Sequence, residues 1–403
     1  MVRHLHARRA TRAVLVSLLS IAALPALAKD RLHTLQIFNG PNGGAPETPL
    51  LADGHGGFYG ATYMGGAANL GTVFHVAADG SVSTIHEFAA GTGAAHPFAN
   101  LLLQDDGSLI GGALRADGKT GSVVYKLSSS GRENVLHRFT KKSGAGYGQI
   151  WGLAKGPDGA IYGTTLNGGP FHCGALFRMT ADGKTTAAHV FGGNANNDGC
   201  SPTGAPLFDA AGNLYGVTGM GGAGTSGNGG TVYRLAADGS YSLLHSFSTF
   251  PAPGDGKTPT GPVARDAHGN LYGATYEGDT STAQGGVVWR VAKDGSYSVV
   301  HAFSGDWTRD GDGASPYGGV IADASGNLYG TTSHGGVGNN GAVFKIARSG
   351  RERVLHSFLA IDGAYPVAAP TLDANGDLVG TTTICGIDGG ACQQGTVYRL
   401  KRS

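Results

Sequence analysis

One phrase recurs seven times along this chain and constrains its fold more than any other feature. The phrase reads Leu-Tyr-Gly-Thr-Thr, a glycine-rich stretch, Gly-Thr-Val-Phe-Lys-Leu, Ala-Asp-Gly and Leu-His-Ser-Phe, with small variations. Its central glycines recur about every fifty residues, at Gly60, Gly111, Gly163, Gly216, Gly273, Gly330 and Gly380. This period predicts an array of small sheets, in which each sheet buries its faces on its neighbours.

Each unit contains four short runs of β-branched and aromatic residues, separated by Gly, Asp and Asn. In the fourth unit these runs are residues 205–208, 213–218, 231–235 and 243–247, which we name strands a to d. Four strands at this period are typical of a propeller blade. The sequence therefore predicts an all-β fold, a propeller of four-stranded blades.

The two ends of the chain indicate how the blades close. The last unit has strands a to c at 367–372, 377–382 and 395–400 but no strand d, whereas residues 35–38 form a lone strand d. We expect the N-terminal strand to complete the last blade, because closure removes the exposed edges of an open array. The predicted fold class is a closed seven-bladed β-propeller, and an open β-solenoid is the alternative.

Residues 1–28 are expected to be a secretory signal peptide, since four arginines precede an apolar segment and Ala-Leu-Ala ends it. The propeller domain then spans 29–403, and a secreted or periplasmic location without membrane insertion is expected. Removing the signal leaves 25 basic and 28 acidic residues, a net charge of −3. This balance argues against a nucleic-acid partner. We expect a monomer.

Several segments of the sixth unit together resemble a known repeat. Residues 327–332, 335–336, 341–346 and 354–358 are similar to the bacterial Gloeo/Verruco (GloVer) tandem repeat, a repeat of the choice-of-anchor type. The resemblance covers essentially all of the chain after the signal peptide. It implies an exported protein that is often associated with the cell surface. It implies no particular activity, and it supplies no catalytic residues.

Strand d of six units carries a histidine, at His86, His137, His189, His245, His301 and His356. Strand d is expected at the rim, about 14 Å from strand a, where neighbouring blades stand too far apart for these histidines to share a metal ion. We expect each of them to pack between blades and to form hydrogen bonds.

An Asp-Gly pair ahead of a proline recurs at Asp198, Asp255, Asp312 and Asp362, and it predicts turns. Calcium binding is the alternative, because residues 194–198 and 309–313 cluster oxygen ligands, although neither has the full spacing of a calcium loop. No other cofactor or metal is expected.

All four cysteines lie in loops that connect strands. Export places them in an oxidising compartment, which favours disulfides. Of the three possible pairings, the loop positions favour Cys173 with Cys200 and Cys385 with Cys392. A zinc site is the alternative.

The b–c and d–a loops are long, variable and expected on one face of the propeller, where function usually lies. Six units place a proline ahead of strand a, and the third unit has Gln149 instead. Two residues later the other units have a small residue and the third has Trp151, which we expect near the mouth of the central channel. Neighbouring loops supply charged and aromatic residues, namely Lys141, Lys142 and Tyr147 from the third unit and Arg115, Asp117 and Lys119 from the second.

An aromatic residue beside several cations suits a ring-shaped anionic ligand, such as a uronate-bearing glycan. The predicted ligand-binding residues are Trp151, Gln149, Tyr147, Lys142, Lys119, Trp307 and Arg309. Tyr147, Arg115 and Lys141 are the candidate catalytic residues of a lyase, which removes a proton beside a carboxylate.

Three functions remain open from the sequence. A carbohydrate-recognition or surface-interaction module is favoured, with a glycan or another extracellular surface ligand as partner. A polysaccharide lyase on an acidic glycan and a structural component of an envelope assembly are the alternatives. Degeneration of the repeat, with Trp151 plugging the channel, would explain the same pattern without any ligand.

Overall fold

The computed structural model of the chain describes residues 32–91, 93–223, 228–252, 254–278, 285–305, 311–384 and 394–402. These residues form seven antiparallel sheets, with one short 3₁₀ turn at Asn194–Asn196 and no α-helix. The predicted signal peptide lies outside the described residues. Within them, no helix has the length and apolar character needed to cross a membrane.

The first three blades follow a common order of strands. Strand β1 (Leu32–Ile37) comes before blade 1, which contains β2 (Leu51–Ala52), β3 (Phe58–Thr62), β4 (Thr72–Val76) and β5 (Val82–Glu87). Blade 2 contains β6 (Ala94–Pro97), β7 (Leu102–Leu103), β8 (Leu109–Arg115), β9 (Ser122–Leu127) and β10 (Glu133–Arg138). Blade 3 contains β11 (Ile150–Lys155), β12 (Ile161–Thr165), β13 (Ala175–Met179) and β14 (Thr185–Val190).

The remaining blades repeat the pattern. Blade 4 contains β15 (Gly199–Phe208), β16 (Leu214–Gly221), β17 (Thr231–Leu235) and β18 (Tyr241–Ser246). Blade 5 contains β19 (Gly256–Arg265), β20 (Leu271–Gly278), β21 (Val287–Val291) and β22 (Tyr297–Ala302). Blade 6 contains β23 (Val320–Ala322), β24 (Leu328–Thr332), β25 (Ala342–Ile346) and β26 (Glu352–Ser357), and blade 7 contains β27 (Thr371–Leu372), β28 (Leu378–Thr382) and β29 (Thr396–Leu400).

The N-terminal strand closes the ring, as the sequence predicts. β1 pairs antiparallel with β29, from Leu32 opposite Leu400 to Ile37 opposite Thr396, and gives blade 7 the order β1-β29-β28-β27. Phe38, directly after β1, is 1% exposed and packs in one cluster with Phe74 of blade 1. The seven-bladed β-propeller is therefore confirmed.

The central glycine of each repeat is required by an aromatic side chain on the neighbouring strand. In every blade it pairs across the ladder with an aromatic residue of strand c: Phe74, Tyr125, Phe177, Tyr233, Trp289, Phe344 or Tyr398. A Cβ at any of these glycines would come closer than 3.0 Å to that ring. Glycine therefore leaves room for the aromatic ring beside strand b, where a Cβ would clash with it.

A second set of aromatic residues joins each blade to the next. The phenylalanine that ends strand d contacts the strand-c aromatic of the following blade, with ring centroids 4.8–6.3 Å apart. The pairs are Phe38–Phe74, Phe88–Tyr125, Phe139–Phe177, Phe191–Tyr233, Phe247–Trp289, Phe303–Phe344 and Phe358–Tyr398. The core therefore lies between the blades, and the central axis is left to a channel.

Candidate ligand-binding site in the central channel

The ladder register shows which residue of the third unit takes the proline position. In blades 2, 4 and 5, the proline of strand a pairs with the residue two places after the central glycine. In blade 3 the residue at that place is Thr165, and it pairs with Ile150 rather than with Gln149. The pairs are Pro97 with Ala113, Pro202 with Thr218, Pro259 with Thr275 and Ile150 with Thr165. The predicted equivalence of Gln149 with the prolines is therefore wrong by one residue. The cause is the length of the irregular part of strand a, which holds one extra residue relative to strand b in blade 3, between Ile150 and Gly152, and two in blades 4 and 5.

In the corrected alignment, Trp151 occupies the position that directly follows the proline. Its equivalents are Glu47, Phe98, Thr203, Thr260, Tyr317 and Val367. The next position is the small one, and Gly152 keeps it, since a Cβ there would come closer than 3.0 Å to the backbone of Ala205 in blade 4. The variable position thus lies between two restricted ones. That contrast was the signal in the sequence that could have identified it.

Five residues at the variable position line one cavity of about 450 Å³ in the central channel: Glu47, Phe98, Trp151, Tyr317 and Val367. The Trp151 ring meets Phe98 edge-on at 4.6 Å and lies 6.3 Å from Tyr317, which belongs to blade 6 across the channel. Tyr317 in turn meets Tyr276 edge-on at 5.8 Å. Apolar and aromatic walls from distant parts of the chain therefore converge on the axis.

Few polar groups of the cavity are open to a ligand. The Asn100 side chain is engaged with blade 3, since its amide donates to the Leu153 carbonyl at 3.0 Å and its oxygen accepts from the Leu153 N–H at 2.8 Å. Burial raises the pKa of Glu47 to about 7. Burial, and then the nearby charge of Glu47, raises the pKa of Tyr317 to about 12. The Glu47 carboxyl and the Tyr317 hydroxyl are the titratable groups of the described lining.

The predicted cations lie elsewhere. Lys119, Lys141 and Lys142 are exposed, and Arg115 forms an ion pair with Asp117 at 2.5 Å. None of them is among the residues that line the cavity.

The remaining predicted residues are also placed away from the cavity or cannot be placed. Tyr147 packs half-buried against the core between blades 2 and 3, and the backbone carbonyl of Gln149 accepts a hydrogen bond from Leu166 at 2.9 Å. Trp307 and Arg309 lie outside the described residues. Of the predicted ligand-binding residues that are described, Trp151 alone lines the cavity.

A family model of the Gloeobacter/Verrucomicrobia repeat matches residues 119–311 and 223–403, two overlapping ranges that cover well over half of the chain. The chain belongs to the Gloeobacter/Verrucomicrobia repeat family. This finding confirms the family resemblance carried by the repeated phrase. A comparison with curated proteins finds no match.

Solved structures similar to this Gloeobacter/Verrucomicrobia repeat protein include a streptogramin B lyase, with a TM-score of 0.58, 15% identity, and coverage of 91% of this chain and 97% of that one. Virginiamycin B lyase from Staphylococcus aureus gives a TM-score of 0.58 at 15% identity and covers 92% and 99% of the two chains. A catalytically inactive variant of that lyase with quinupristin gives 0.59 at 14% identity, with the same coverage. At this identity the similarity establishes the fold alone.

The first predicted disulfide of the repeat protein is confirmed. Cys173, in the b–c loop of blade 3, is bonded to Cys200 near the start of blade 4, and the bond links residues 27 positions apart. Cys385 and Cys392 lie outside the described residues, so their pairing stays a prediction.

The two polar motifs of the repeat meet at the rim of the propeller. The strand-d histidine lies 2.9 Å from the carboxylate of the Asp-Gly turn in three blades: His189 with Asp198, His301 with Asp312 and His356 with Asp362. The histidine of blade 1 contacts the next blade: His86 Nδ1 lies 3.0 Å from the Gly131 carbonyl oxygen. The expected packed and hydrogen-bonded state is therefore found for His86, His189, His301 and His356. His245 instead stacks on Tyr297, and its Nε2 has no hydrogen-bond partner among the described residues.

The calcium alternative is not resolved by these contacts. Within the described ranges, no group of three or more His, Cys, Asp or Glu side chains is placed to hold a metal ion. Calcium binding stays a prediction, since residues 306–310 are not described.

The rim pairs should make folding stability fall in acid. Burial opposes ionisation of Asp198, Asp312 and Asp362, yet the histidine hydrogen bond holds each pKa below its ordinary value of 3.8. A carboxyl with a lowered folded pKa contributes stability above its unfolded pKa of about 4 and loses it as pH falls through the folded value. We expect the wild type to lose stability progressively below about pH 5, as the pH falls towards and through the lowered folded pKa values of these carboxyls.

Urea unfolding of the triple variant Asp198→Asn, Asp312→Asn and Asp362→Asn tests this expectation. The variant should be less stable at pH 7 and should respond less to acid over the same window. Asp105→Asn, which removes a carboxylate that is 97% exposed, is the control. Parallel pH profiles for the wild type and the triple variant would contradict the assignment.

Proposed function

We propose that this protein is a binding module that takes a sugar ring of a glycan into the central-channel cavity. The observation that carries this proposal is the convergence of Phe98, Trp151 and Tyr317 on a space of about 450 Å³. Small-molecule sites usually measure about 300–1,000 Å³ and are lined by apolar and aromatic side chains with few polar groups. The flat apolar face of a sugar ring fits against such aromatic walls, while the Glu47 carboxyl and the Tyr317 hydroxyl are available to its hydroxyl groups.

The distribution of exposed apolar side chains supports binding at the same end of the propeller. Nearly all of the large exposed apolar side chains of the described residues lie in the b–c and d–a loops or, for Met220, at the adjoining end of β16: Phe171, Met220, Phe250, Val337, Leu359, Ile361 and Ile384. Exposed apolar residues gathered on one face are typical of an interaction surface. The tight turns of the opposite face carry none of these seven.

The cavity favours binding over acidic-glycan cleavage. A lyase needs a base near a group that neutralises the uronate carboxylate, and the described lining contains no Lys, Arg or His. Tyr317, with a pKa raised to about 12, is protonated near neutral pH and is therefore not available there as a base. The lyase and the structural assembly component therefore remain alternatives for the experiment to separate.

We also propose that the protein acts outside the cytoplasm. The Cys173–Cys200 bond supports this location, because structural disulfides persist mainly in oxidising compartments.

Truncation of Trp151 should remove glycan binding. We expect Trp151→Ala to weaken the binding of any glycan that the wild type retains by tenfold or more, which corresponds to about 1.4 kcal/mol, because the variant loses the largest aromatic wall. Isothermal titration against a panel of neutral and acidic oligosaccharides measures the change. Phe250→Ala is the matched control, since Phe250 is an aromatic residue of a d–a loop that is 84% exposed and does not line the cavity.

Three outcomes separate the functions. Binding that Trp151→Ala reduces and Phe250→Ala leaves intact supports the module. Unsaturated fragments in the mass spectrum of the incubated glycans would establish a lyase instead. Equal binding by the wild type and Trp151→Ala, or no binding at all, would overturn the channel site and favour the structural role.

A further inference from the structure

The cavity contains one acidic group without a counter-charge. Glu47 lines the channel next to Pro49 and Leu50, and burial is the single cause that raises its pKa. The described part of the chain provides no hydrogen bond or ion pair to its carboxylate. An ionised carboxylate in an apolar setting is costly unless a partner of opposite charge compensates it. The structure therefore leaves room for a partner that the protein does not supply.

The walls around this carboxyl suit a cation. Phe98, Trp151 and Tyr317 line the cavity together with Glu47 and come from three different blades. The Trp151 ring lies 4.6 Å from Phe98 and 6.3 Å from Tyr317. Aromatic faces attract ammonium groups within about 6 Å of the ring centroid, and cages of several rings recognise alkylated ammonium ions. A carboxylate beside such rings adds direct charge attraction.

The charges of the lining discriminate between classes of ligand. An anionic sugar would meet the Glu47 carboxylate and no basic side chain among the described lining residues. A neutral sugar would stack on the rings but would leave Glu47 without a counter-charge. A positively charged sugar would do both, because its ring stacks while its ammonium group pairs with Glu47.

We propose that the channel cavity is selective for a sugar ring that carries a free ammonium group, so that the ligand is a glycan containing unacetylated amino sugars. This inference rests on the proposed glycan-binding function. The loop lysines predicted an anionic ligand, whereas the inferred ligand is positively charged, because these lysines do not line the cavity. Glu47 is the specificity-determining residue, and Trp151 supplies the stacking surface.

Binding of oligosaccharides of equal length and linkage tests the inference. The probes are β-1,4-linked tetramers of glucose, N-acetylglucosamine, glucosamine and N,N,N-trimethylglucosamine, titrated at pH 8 and physiological salt. The trimethylated tetramer keeps its charge at every pH, so any change of its affinity with pH comes from titration of the protein. We expect it to bind the wild type at least tenfold more tightly than the glucose tetramer.

Substitution of Glu47 identifies the source of the preference. Glu47→Gln keeps the size of the side chain and removes its charge, so it should abolish the tenfold preference, and the affinities for the glucose and trimethylated tetramers should become equal. Asp105→Asn removes an exposed charge and should change neither, which controls for attraction to the net negative surface. Circular dichroism and thermal unfolding of Glu47→Gln confirm that the variant folds.

The pH dependence gives an independent readout. Protonation of Glu47 removes the charge that attracts the trimethylated tetramer, so its affinity should fall as pH drops below about 7. Tyr317, the other titratable group of the described lining, stays neutral over this range, since its pKa is raised to about 12. Glu47→Gln should flatten this profile.

The outcomes distinguish this inference from the function on which it rests. Equal affinity for the glucose and trimethylated tetramers would overturn the amino-sugar preference and leave glycan binding intact. Preference that persists in Glu47→Gln would overturn the role of Glu47. Failure of all four tetramers to bind, together with no binding in the wider glycan panel, would overturn both proposals.

Discussion

Replacement of Phe38 with alanine is expected to lower the free energy of unfolding by about 3–5 kcal/mol, the usual cost of truncating a fully buried phenylalanine. Phe38 is 1% exposed and lies at the seam where the N-terminal strand β1 closes the ring. Its ring is 5.2 Å from Phe74 of blade 1, and it shares a cluster with Val379 and Val397 of blade 7. The substitution therefore leaves a cavity between the first and last blades.

Ile37 provides a control within the same strand. It pairs with Thr396 in the same ladder but is 46% exposed, so Ile37→Ala should change stability much less. Urea unfolding followed by tryptophan fluorescence gives both values. Equal losses in the two variants would mean that Phe38 does not hold the seam.

Gly216→Ala is expected to destabilise the protein by about 1–3 kcal/mol, the usual cost of overpacking a core. Gly216 pairs with Tyr233 across β16 and β17, and a Cβ at this position would come closer than 3.0 Å to the phenol ring. Tyr233 is fully buried and its ring meets Phe191 at 5.2 Å, so it cannot move aside without disturbing the blade 3–4 interface. The methyl group added by Gly216→Ala is therefore expected to disturb the packing of both blade 3 and blade 4.

Gly219 lies on the same strand and gives a matched control. A Cβ there meets its nearest neighbours at 3.6 Å or more, which is ordinary van der Waals contact, so Gly219→Ala should be tolerated. Adding Tyr233→Leu to Gly216→Ala should remove the clash, and the double variant should lose less than the sum of the two single changes. Strict additivity of the two free energies would contradict the proposed contact.

Much of the fold could be predicted because its causes are local and repeated. In each repeat, the central glycine identifies strand b, which packs against an aromatic residue of strand c. Seven copies of this pattern predict seven blades. The split last blade predicts the closing strand, and the shared face of two loops predicts the bond between Cys173 and Cys200. In each case the physical constraint lies within one repeat or between adjacent repeats.

The site depended on information that the sequence does not carry. Glu47, Phe98, Trp151 and Tyr317 are far apart along the chain, and ring closure brings them to one axis. The irregular part of strand a is one residue shorter in blade 3 than in blades 4 and 5, and this difference shifts Trp151 by one position. A shift of one residue changes which face of a strand a side chain occupies.

The character of the site was decided in the same way. The loop lysines indicated an anionic ligand, but they are exposed and do not line the cavity, and the buried carboxyl of Glu47 sets the local charge instead. By itself the sequence determined the blades, their number and their closure, because periodic packing encodes them. The tertiary structure alone decided which side chains share the channel and how burial raises the pKa of Glu47 there, because both depend on residues that meet only when the ring is closed.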